Sequence, residues 1–506
     1  SIPSYTYLIN NCGEIVNQWS SQFQAFGNDY ISEDGSLYSV HIDNQSTLNL
    51  PGTTGRIEKK DWNNNLLWGF TYSDTDFSFH HDFSVLPNGN ILLLVAHRRT
   101  TAQALENGAD PTIITNDGDL YEEKIIEIRP IGTNDAEIVW EWSLWDHLIQ
   151  DIDNTINNFG VVSDHPELLN INYSLTEGNW IHANAIDYNS SLDQIILNSR
   201  NLNEFYIIDH STTTAEASSH TGGNSGKGGD FLYRWGNPIT YNQGTNQDQK
   251  SFGQHTTHWI PKGFPDEDKI MFFNNGGDRA FSSIDIIMPP IDQNGNYTNT
   301  PNTPFLPITA EWSYIDQTNS QDFFARILSG AYRLQNGNTF ITYGTAGILF
   351  EVDANFNTVW KYINPVSSST LVFNQGDDPN GMSTTIFRAR KYNTDYIGFS
   401  GKDLTPLGNI EQNPIPENCS LFDSLSNEDF QTSIEFSIFP NPSSNKIHII
   451  SLNKQKYTIE LYNLNGLKIE SKLVDNMLDI SQISSGVYII KISSENQSLT
   501  KKIIKK

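Results

Sequence analysis

Residues 329–362 read SGAYRLQNGNTFITYGTAGILFEVDANFNTVWKY. An apolar run ends at Leu334, Asn336-Gly337 turns the chain, and TFITY follows as a second apolar run. Asn-Gly between alternating apolar runs is the strongest short-range hairpin signal, because both residues tolerate positive φ. Two more strands follow, the last closing at Trp360. The same texture recurs outward along the chain. His81–Leu94 reads HDFSVLPNGNILLL, then KIIEIRP and AEIVWEW follow after an insertion. Trp19, Trp68, Trp142, Trp235, Trp312 and Trp360 each close such a stretch. One four-stranded sheet cannot bury both its faces alone, so a repeat at this scale predicts a β-propeller.

The tryptophans lay out six blades. Five run over about Asn28–Trp68, His81–Trp142, His182–Trp235, His255–Trp312 and Ser329–Trp360. The stretch Tyr7–Trp19 has no hairpin before it and reads as the outer strand of a sixth, whose inner strands are expected at Thr384–Phe399. An N-terminal strand closing the last blade leaves the ring without an open edge. Long insertions fall at Thr100–Leu120, Ser143–Asn179 and Ser211–Asp230, and loops of that length are usually functional or disordered. WSLWDHLIQDI in the second predicts some helix. TGGNSGKGG (Thr221–Gly229) fails as a phosphate loop, since Gly228 stands where Ser or Thr is required, and reads as flexible loop.

Composition limits the partners. A net charge of −28 over 506 residues argues against a nucleic-acid binder, which needs a basic face for phosphate. The charge is uneven: from Glu435 onward 10 Lys face 6 Asp plus Glu, which implies a second domain. No apolar run reaches the roughly 18 residues that span a membrane. The chain opens at Ser1 without a basic and apolar leader, so any signal peptide is expected to be already removed. The two cysteines, Cys12 and Cys419, exclude a Cys-based metal centre. They bracket the repeats, where a disulfide would staple the ring; two unpaired thiols remain the alternative. The domains are read as a propeller over 1–415, a polar linker over 416–433 and a small β-sandwich over 434–506.

Three histidines recur at one position. His81, His182 and His255 each open the first strand of a blade, the strand that lines a propeller's channel. The ends of the second strands, expected to return to the same mouth, carry His97, Arg98, Arg200, Arg279 and Tyr343. Imidazoles beside guanidiniums suit an anionic, oxygen-rich substrate, because Arg offers a fixed fork of donors and His serves as base, acid or nucleophile. The plainer reading is that strand-opening histidines only bond neighbouring carbonyls, and a third is a three-histidine metal site. His80 and His258 read as orienting partners; His41, His147, His165, His210 and His220 read as loop or surface residues.

Two resemblances extend this reading. FPNP, LYNLNG, LDIS…GVYIIKI and the KKIIKK end resemble the type A sorting domain of the type IX secretion system of Bacteroidetes. That resemblance implies a secreted or cell-surface protein handled by the type IX machinery, and discounts His448 as a site residue. HANAIDYNSSLDQIILNSRN (His182–Asn201), QHTTHWIP…IMFFNNGGDR (Gln254–Arg279) and the stretch quoted first resemble the arylsulfotransferase family, over most of residues 5–400. The family works without a nucleotide sulfate donor, and no cofactor is expected. The resemblance implies a six-bladed propeller that moves sulfate from an aryl sulfate to a phenol by a ping-pong route through a sulfohistidine. By match, His182, His255 and Arg279 polarise the sulfate oxygens; the strand register, not the match, adds His81 as a catalytic candidate and Arg200, His97, Arg98 and Tyr343, with the neighbouring His258, as substrate contacts. In that family the nucleophilic histidine follows the arginine, in a later blade. Here none lies between Arg279 and the terminal domain, so either His255 or another channel histidine takes the role, or the protein no longer transfers sulfate. Two other functions fit the residues: a non-catalytic surface propeller holding a sulfated or phenolic ligand, and a polysaccharide lyase using Tyr343 with Arg279.

Overall fold

The computed structural model describes residues 4–506 except 44–45, 49, 114–118, 176–177, 294, 317–319, 369–370, 378–381, 415–435, 440, 452–457, 464–466, 470–472, 475 and 494–497. Two compact units follow one another, Ser1–Asp423 and Ser424–Lys506.

The first unit is a succession of antiparallel meanders. β1 (Ser4–Ile9) and β2 (Ile15–Ser21) make a hairpin. β3 (Gln24–Ala25), β4 (Tyr30–Ile31), β5 (Leu37–Ile42), β6 (Gly55–Lys60) and β7 (Leu66–Thr71) form the first sheet. The second holds β8 (Phe77–Val85), β9 (Ile91–Thr100), β10 (Asp119–Ile131) and β11 (Asp135–Ser143). A short parallel pair, β12 (Leu148–Ile149) and β13 (Leu169–Asn170), lies in the next insertion. The third sheet is β14 (Ala183–Asn189), β15 (Gln194–Ser199), β16 (Glu204–Asp209) and β17 (Phe231–Trp235). The fourth is β18 (His255–Trp259), β19 (Ile270–Asn274), β20 (Ser283–Ile287) and β21 (Trp312–Tyr314). The fifth is β22 (Gly330–Arg333), β23 (Thr339–Tyr343), β24 (Ile348–Val352) and β25 (Thr358–Ile363). β14 touches both β8 and β18, and β18 touches β22, so the first strands of the second to fifth sheets line the axis. This is a propeller, and its core lies between sheets: Ile195 and Leu197 of the third pack with Leu92 and Leu94 of the second.

The repeating tryptophan has a physical reason. Its indole N–H on the outermost strand donates to a backbone carbonyl of the next sheet: Trp68 to Asp135, Trp142 to Gly229, Trp235 to Pro307. The series passes through the N-terminal hairpin, Trp360 to Asn11 and Trp19 to Asp61, both at 2.8 Å. A buried indole satisfied in this way joins two sheets and leaves no orphaned donor. The hairpin therefore fills the interval between the last sheet and the first.

The closure differs from expectation. Thr384–Phe399 supplies no inner strands; it crosses in irregular backbone with one 3₁₀ turn, Ile397–Phe399. Its amides and carbonyls are met singly instead, by Gly344, Ser329 and the Thr342 hydroxyl. Tyr392 and Tyr396 clamp the two sides of the Ile31 peptide. Ser143–Asn179 carries 3₁₀ turns at Leu144–His147 and Val162–Asp164 rather than α-helix, while Thr101–Glu106 in the preceding insertion is α-helical. Cys12 is not a free thiol; Cys419 and the linker 416–433 lie outside the described residues.

The second unit is a β-sandwich. One sheet holds β26 (Phe436–Phe439), β27 (Lys446–Ser451), β30 (Leu473–Val474) and β31 (Met477–Asp479). The other holds β28 (Thr458–Asn463), β29 (Lys468–Ile469), β32 (Gly486–Ser493) and β33 (Ser498–Lys505). Ile447, Leu461, Leu478, Ile490 and Ile503 fill the space between, as two facing inner surfaces require.

Candidate active site

The inner strands deliver the three histidines by the same local device. β8 bulges between Phe79 and Phe83, β14 between Ala183 and Ala185, and β18 between His255 and His258. His81, His182 and Thr256 adopt left-handed φ of 53°, 51° and 56°. Such values are uncommon for side chains larger than glycine and mark positions where the backbone re-aims a residue. In the fifth sheet Ser329 takes the equivalent place at φ 84°.

The histidines converge. The His81 and His182 rings sit 4.8 Å apart, edge to face. His255 and Arg200 both bear electrostatically on His182, and His255 also bears on His81. Burial first, then the nearby cations, holds His81 and His182 well below the ordinary histidine range and brings His255 down to about 3. All three are neutral at physiological pH. Arg200 is half-sheltered beside Arg326, donates to the Asn201 side chain, and has no ion-pair partner among the described residues. The centre is thus a buried, neutral imidazole cluster beside an uncompensated guanidinium.

Hydrogen bonds set each ring's tautomer. His255 Nδ1 lies 2.8 Å from Asn275 Oδ1, and the Asn275 amide is fixed because its Nδ2 donates to Ala325 and Leu328 carbonyls. The Nδ1 proton is therefore spoken for, and the Nε2 lone pair accepts a 3.3 Å hydrogen bond from the Leu328 amide. His182 is the reverse: the Asn179 amide donates to Nδ1, leaving Nε2–H as a donor. His81 Nδ1 meets His80 Nδ1 at 2.8 Å, and His80 Nε2 meets Glu123 at 2.8 Å. With Glu123 accepting from His80, and His80 from His81, the His81 Nε2 lone pair is free. Buried amides set the spacing: the Gln254 Nε2 amide donates to Asn198 Oδ1 and to the Ser199 and Glu204 carbonyls, and Asn184 donates to the Gln254 backbone carbonyl.

Below this cluster lies a second layer. Asp82 accepts from Asn28, the Ile186 amide and Arg388. His258 donates from Nδ1 to the Thr256 carbonyl and packs on Tyr332, and burial lowers it to about 4. It supports the layer as an orienting residue does.

Other expected residues stand elsewhere. β8 begins at Phe77, and His97 pairs with Phe77, not with His81. That puts His97 and Arg98 about 10 Å along the hairpin from the histidine cluster, with His97 bonded to Glu122. Arg279 is held between the Phe252 and Phe281 rings and donates to Ser283. The Tyr343 hydroxyl is tied to the Phe324 backbone, and no hydrogen bond joins it to Arg279. His41 and His147 are buried, not surface residues, and His210 is held between Glu127 and Asp193. Arg388, Asn275 and Glu123 were invisible as site residues in the sequence; only buried polarity in three dimensions reveals them.

A family model described as Arylsulfotransferase (ASST) matches residues 2–380, three quarters of the chain. The chain belongs to the arylsulfotransferase family. A second model, a secretion system C-terminal sorting domain, matches residues 437–506. This family member therefore carries a type IX sorting domain and is destined for the cell surface or the extracellular space. No helix among the described residues is long and apolar enough to cross a membrane. No curated protein matches the chain. Among solved structures, a protein of unknown function from Bacteroides caccae is 10% identical at a TM-score of 0.38, covering 76% of this chain and 93% of its own. The Dos1 propeller is 10% identical at 0.31, over 72% and 68%. Virginiamycin B lyase from Staphylococcus aureus is 11% identical at 0.29, over 73% and 90%.

Proposed function

We propose that this protein transfers sulfate from an aryl sulfate to a phenol outside the cell, with His255 as nucleophile. The observation that carries the reading is the pairing of a neutral His255, its Nδ1–H anchored by Asn275, with the unpaired Arg200. An anion would satisfy Arg200 and bring sulfur to the Nε2 lone pair, in place of its long bond from the Leu328 amide.

The residues then divide the work. Nε2 of His255 attacks sulfur, the S–O bond to the aryl group breaks, and a phenolate leaves. Arg200 and the Nε2–H of His182 stabilise charge on the sulfate oxygens as it builds. An acceptor phenol then attacks the sulfohistidine, the S–N bond breaks, and His81 Nε2 takes the phenol proton. Arg200 replaces Arg279 in the role that the sequence suggested. With that change a histidine does follow the arginine in a later sheet, which is the order expected of the family. The lyase alternative rested on Tyr343 with Arg279, and those side chains are engaged elsewhere.

The test is phenol release from a chromogenic aryl sulfate, with and without a second phenol and with no nucleotide. Acceptor-dependent turnover that disappears in His255→Ala and Arg200→Ala supports the reading. Turnover retained by His255→Ala overturns His255 as the nucleophile, and turnover absent across a panel of donors in the unmodified protein overturns the reading in favour of a binding propeller.

A further inference from the structure

The Ser211–Asp230 loop has no part in the channel, yet it is built tightly. Its glycine-rich end closes over His147, the last residue of the 3₁₀ turn that follows β11. A side chain on Gly229 would meet His147 Nε2 at 2.6 Å and the Ala217 carbonyl at 2.0 Å, so only glycine lets the loop come down this far. Trp142 stacks on the His147 ring with its plane 6° away and donates to the Gly229 carbonyl. The result is a fully buried imidazole between two acceptors. Nε2 lies 2.8 Å from the Ala217 carbonyl, and Nδ1 lies 2.7 Å from Asp230 Oδ1. The same Asp230 oxygen lies 2.8 Å from Nδ1 of His220, whose ring is largely exposed.

The carbonyl requires the His147 proton on Nε2. The short contact between Nδ1 and the carboxylate oxygen then calls for a positive charge, either a second ring proton or a cation bound by both groups. A carbonyl holding one ring nitrogen while the other faces outward is also how metal-bound histidines are oriented. The three ligand atoms already lie within 4.8 Å of one another, and ligands of a tetrahedral zinc stand roughly 3.3 Å apart. We propose that His147, His220 and Asp230 bind one zinc ion or a similar borderline divalent cation, with solvent on the exposed His220 side completing the coordination. Two imidazoles and one carboxylate, with no thiolate, suit zinc better than calcium or magnesium, which prefer oxygen ligands. The ion would pin the Ser211–Asp230 loop to the outer strand of the second sheet. This inference does not depend on the sulfate-transfer reading.

The experiment is equilibrium dialysis of the full chain against zinc alone, with cobalt(II) absorption as a second readout of coordination. The channel variant His182→Ala/His255→Ala separates this site from the other histidine cluster. One zinc per chain is expected in the unmodified protein and in the channel variant, with affinity reduced at least 10-fold in His220→Ala and Asp230→Asn. His220 is exposed, so its loss leaves the fold intact and the comparison readable. No zinc bound by the unmodified protein overturns the proposal. So does zinc held equally well by His220→Ala, or lost only in the channel variant; a plain ion pair between His147 and Asp230 would then account for the contacts.

Discussion

Arg388 donates from Nη1 to Asp82 Oδ2 at 2.8 Å, although 306 positions separate them in the chain. Both side chains are nearly fully buried, and Asp82 also accepts from Asn28 and from the Ile186 amide. One carboxylate thus joins the start of the first sheet, the inner strands of the second and third, and the irregular segment that crosses between the fifth and the first. Removing one partner of such a pair leaves a buried charge alone, at a cost of about 3–5 kcal/mol. Arg388→Met should lower stability to denaturant by that amount, and adding Asp82→Leu should recover part of it. A loss below about 1 kcal/mol would mean that solvent reaches the pair.

Asn275 touches His255 but not the expected path of the substrate. It fixes the tautomer that puts the lone pair on Nε2. Asn275→Ala should lower kcat by about 10²–10³ while KM changes little, because sulfate binding rests on Arg200. Steady-state kinetics separate the two constants; a rise in KM alone would reassign Asn275 to binding.

Stability should depend on pH in a definite direction. Burial holds His255 near 3, His41 and His258 near 4, and His81 and His182 well below the ordinary range. Below about pH 6.5 the unfolded chain protonates these rings and the folded chain does not. Their contribution is therefore complete above that pH and is lost as pH falls toward 4. Asp29 and Asp187 act the other way, because burial raises them to about 6 and about 7, so the folded chain holds protons that the unfolded chain releases. Five groups against two leaves stability falling on acidification, at up to roughly 1.4 kcal/mol per pH unit for each net proton. His210, raised by its bonds to Glu127 and Asp193, adds a decline above pH 6.5. Denaturant midpoints measured across this range should peak near neutrality, and His41→Gln should make the acid side shallower. A midpoint that rises on acidification would contradict neutral burial of these rings.

Gly52 and Gly89 make a matched pair. Both have left-handed φ, 82° and 86°, but a side chain at Gly52 would fall 1.9 Å from the His81 ring, whereas nothing lies within 4 Å at Gly89. Each substitution by alanine carries a backbone cost of about 1–2 kcal/mol. Only Gly52→Ala should also displace His81, with turnover falling at least 10-fold while Gly89→Ala keeps near-normal activity. Equal activity in the two variants would show that His81 has no part in the reaction.

The sheets were legible in the sequence because their signal is local: Asn336-Gly337 sets one hairpin and Trp360 ends its sheet. The convergence of His81, His182 and His255 was legible for the same reason, since all three open equivalent strands. His97 and Arg98 were misplaced because β8 starts at Phe77, a boundary set by pairing with β9 that no residue near His81 announces. Arg279 drew attention as a strand-end arginine, but two phenylalanines 27 positions before and two after it capture its guanidinium. Arg388 gave no signal at all, because its role exists only once a segment without strand pattern is laid across the ring.

That crossing segment gives the chain a direction in time. Trp360 meets Asn11 across 349 positions, and Tyr396 meets Ile31 across 365. Contacts so distant in sequence are slow to form, because a long stretch of chain must be ordered first. During synthesis, five sheets can assemble while the first still shows an unclasped edge at Ile31. The ring is thus completed last by contacts from residues 360–396, after every sheet that it joins is already in the chain.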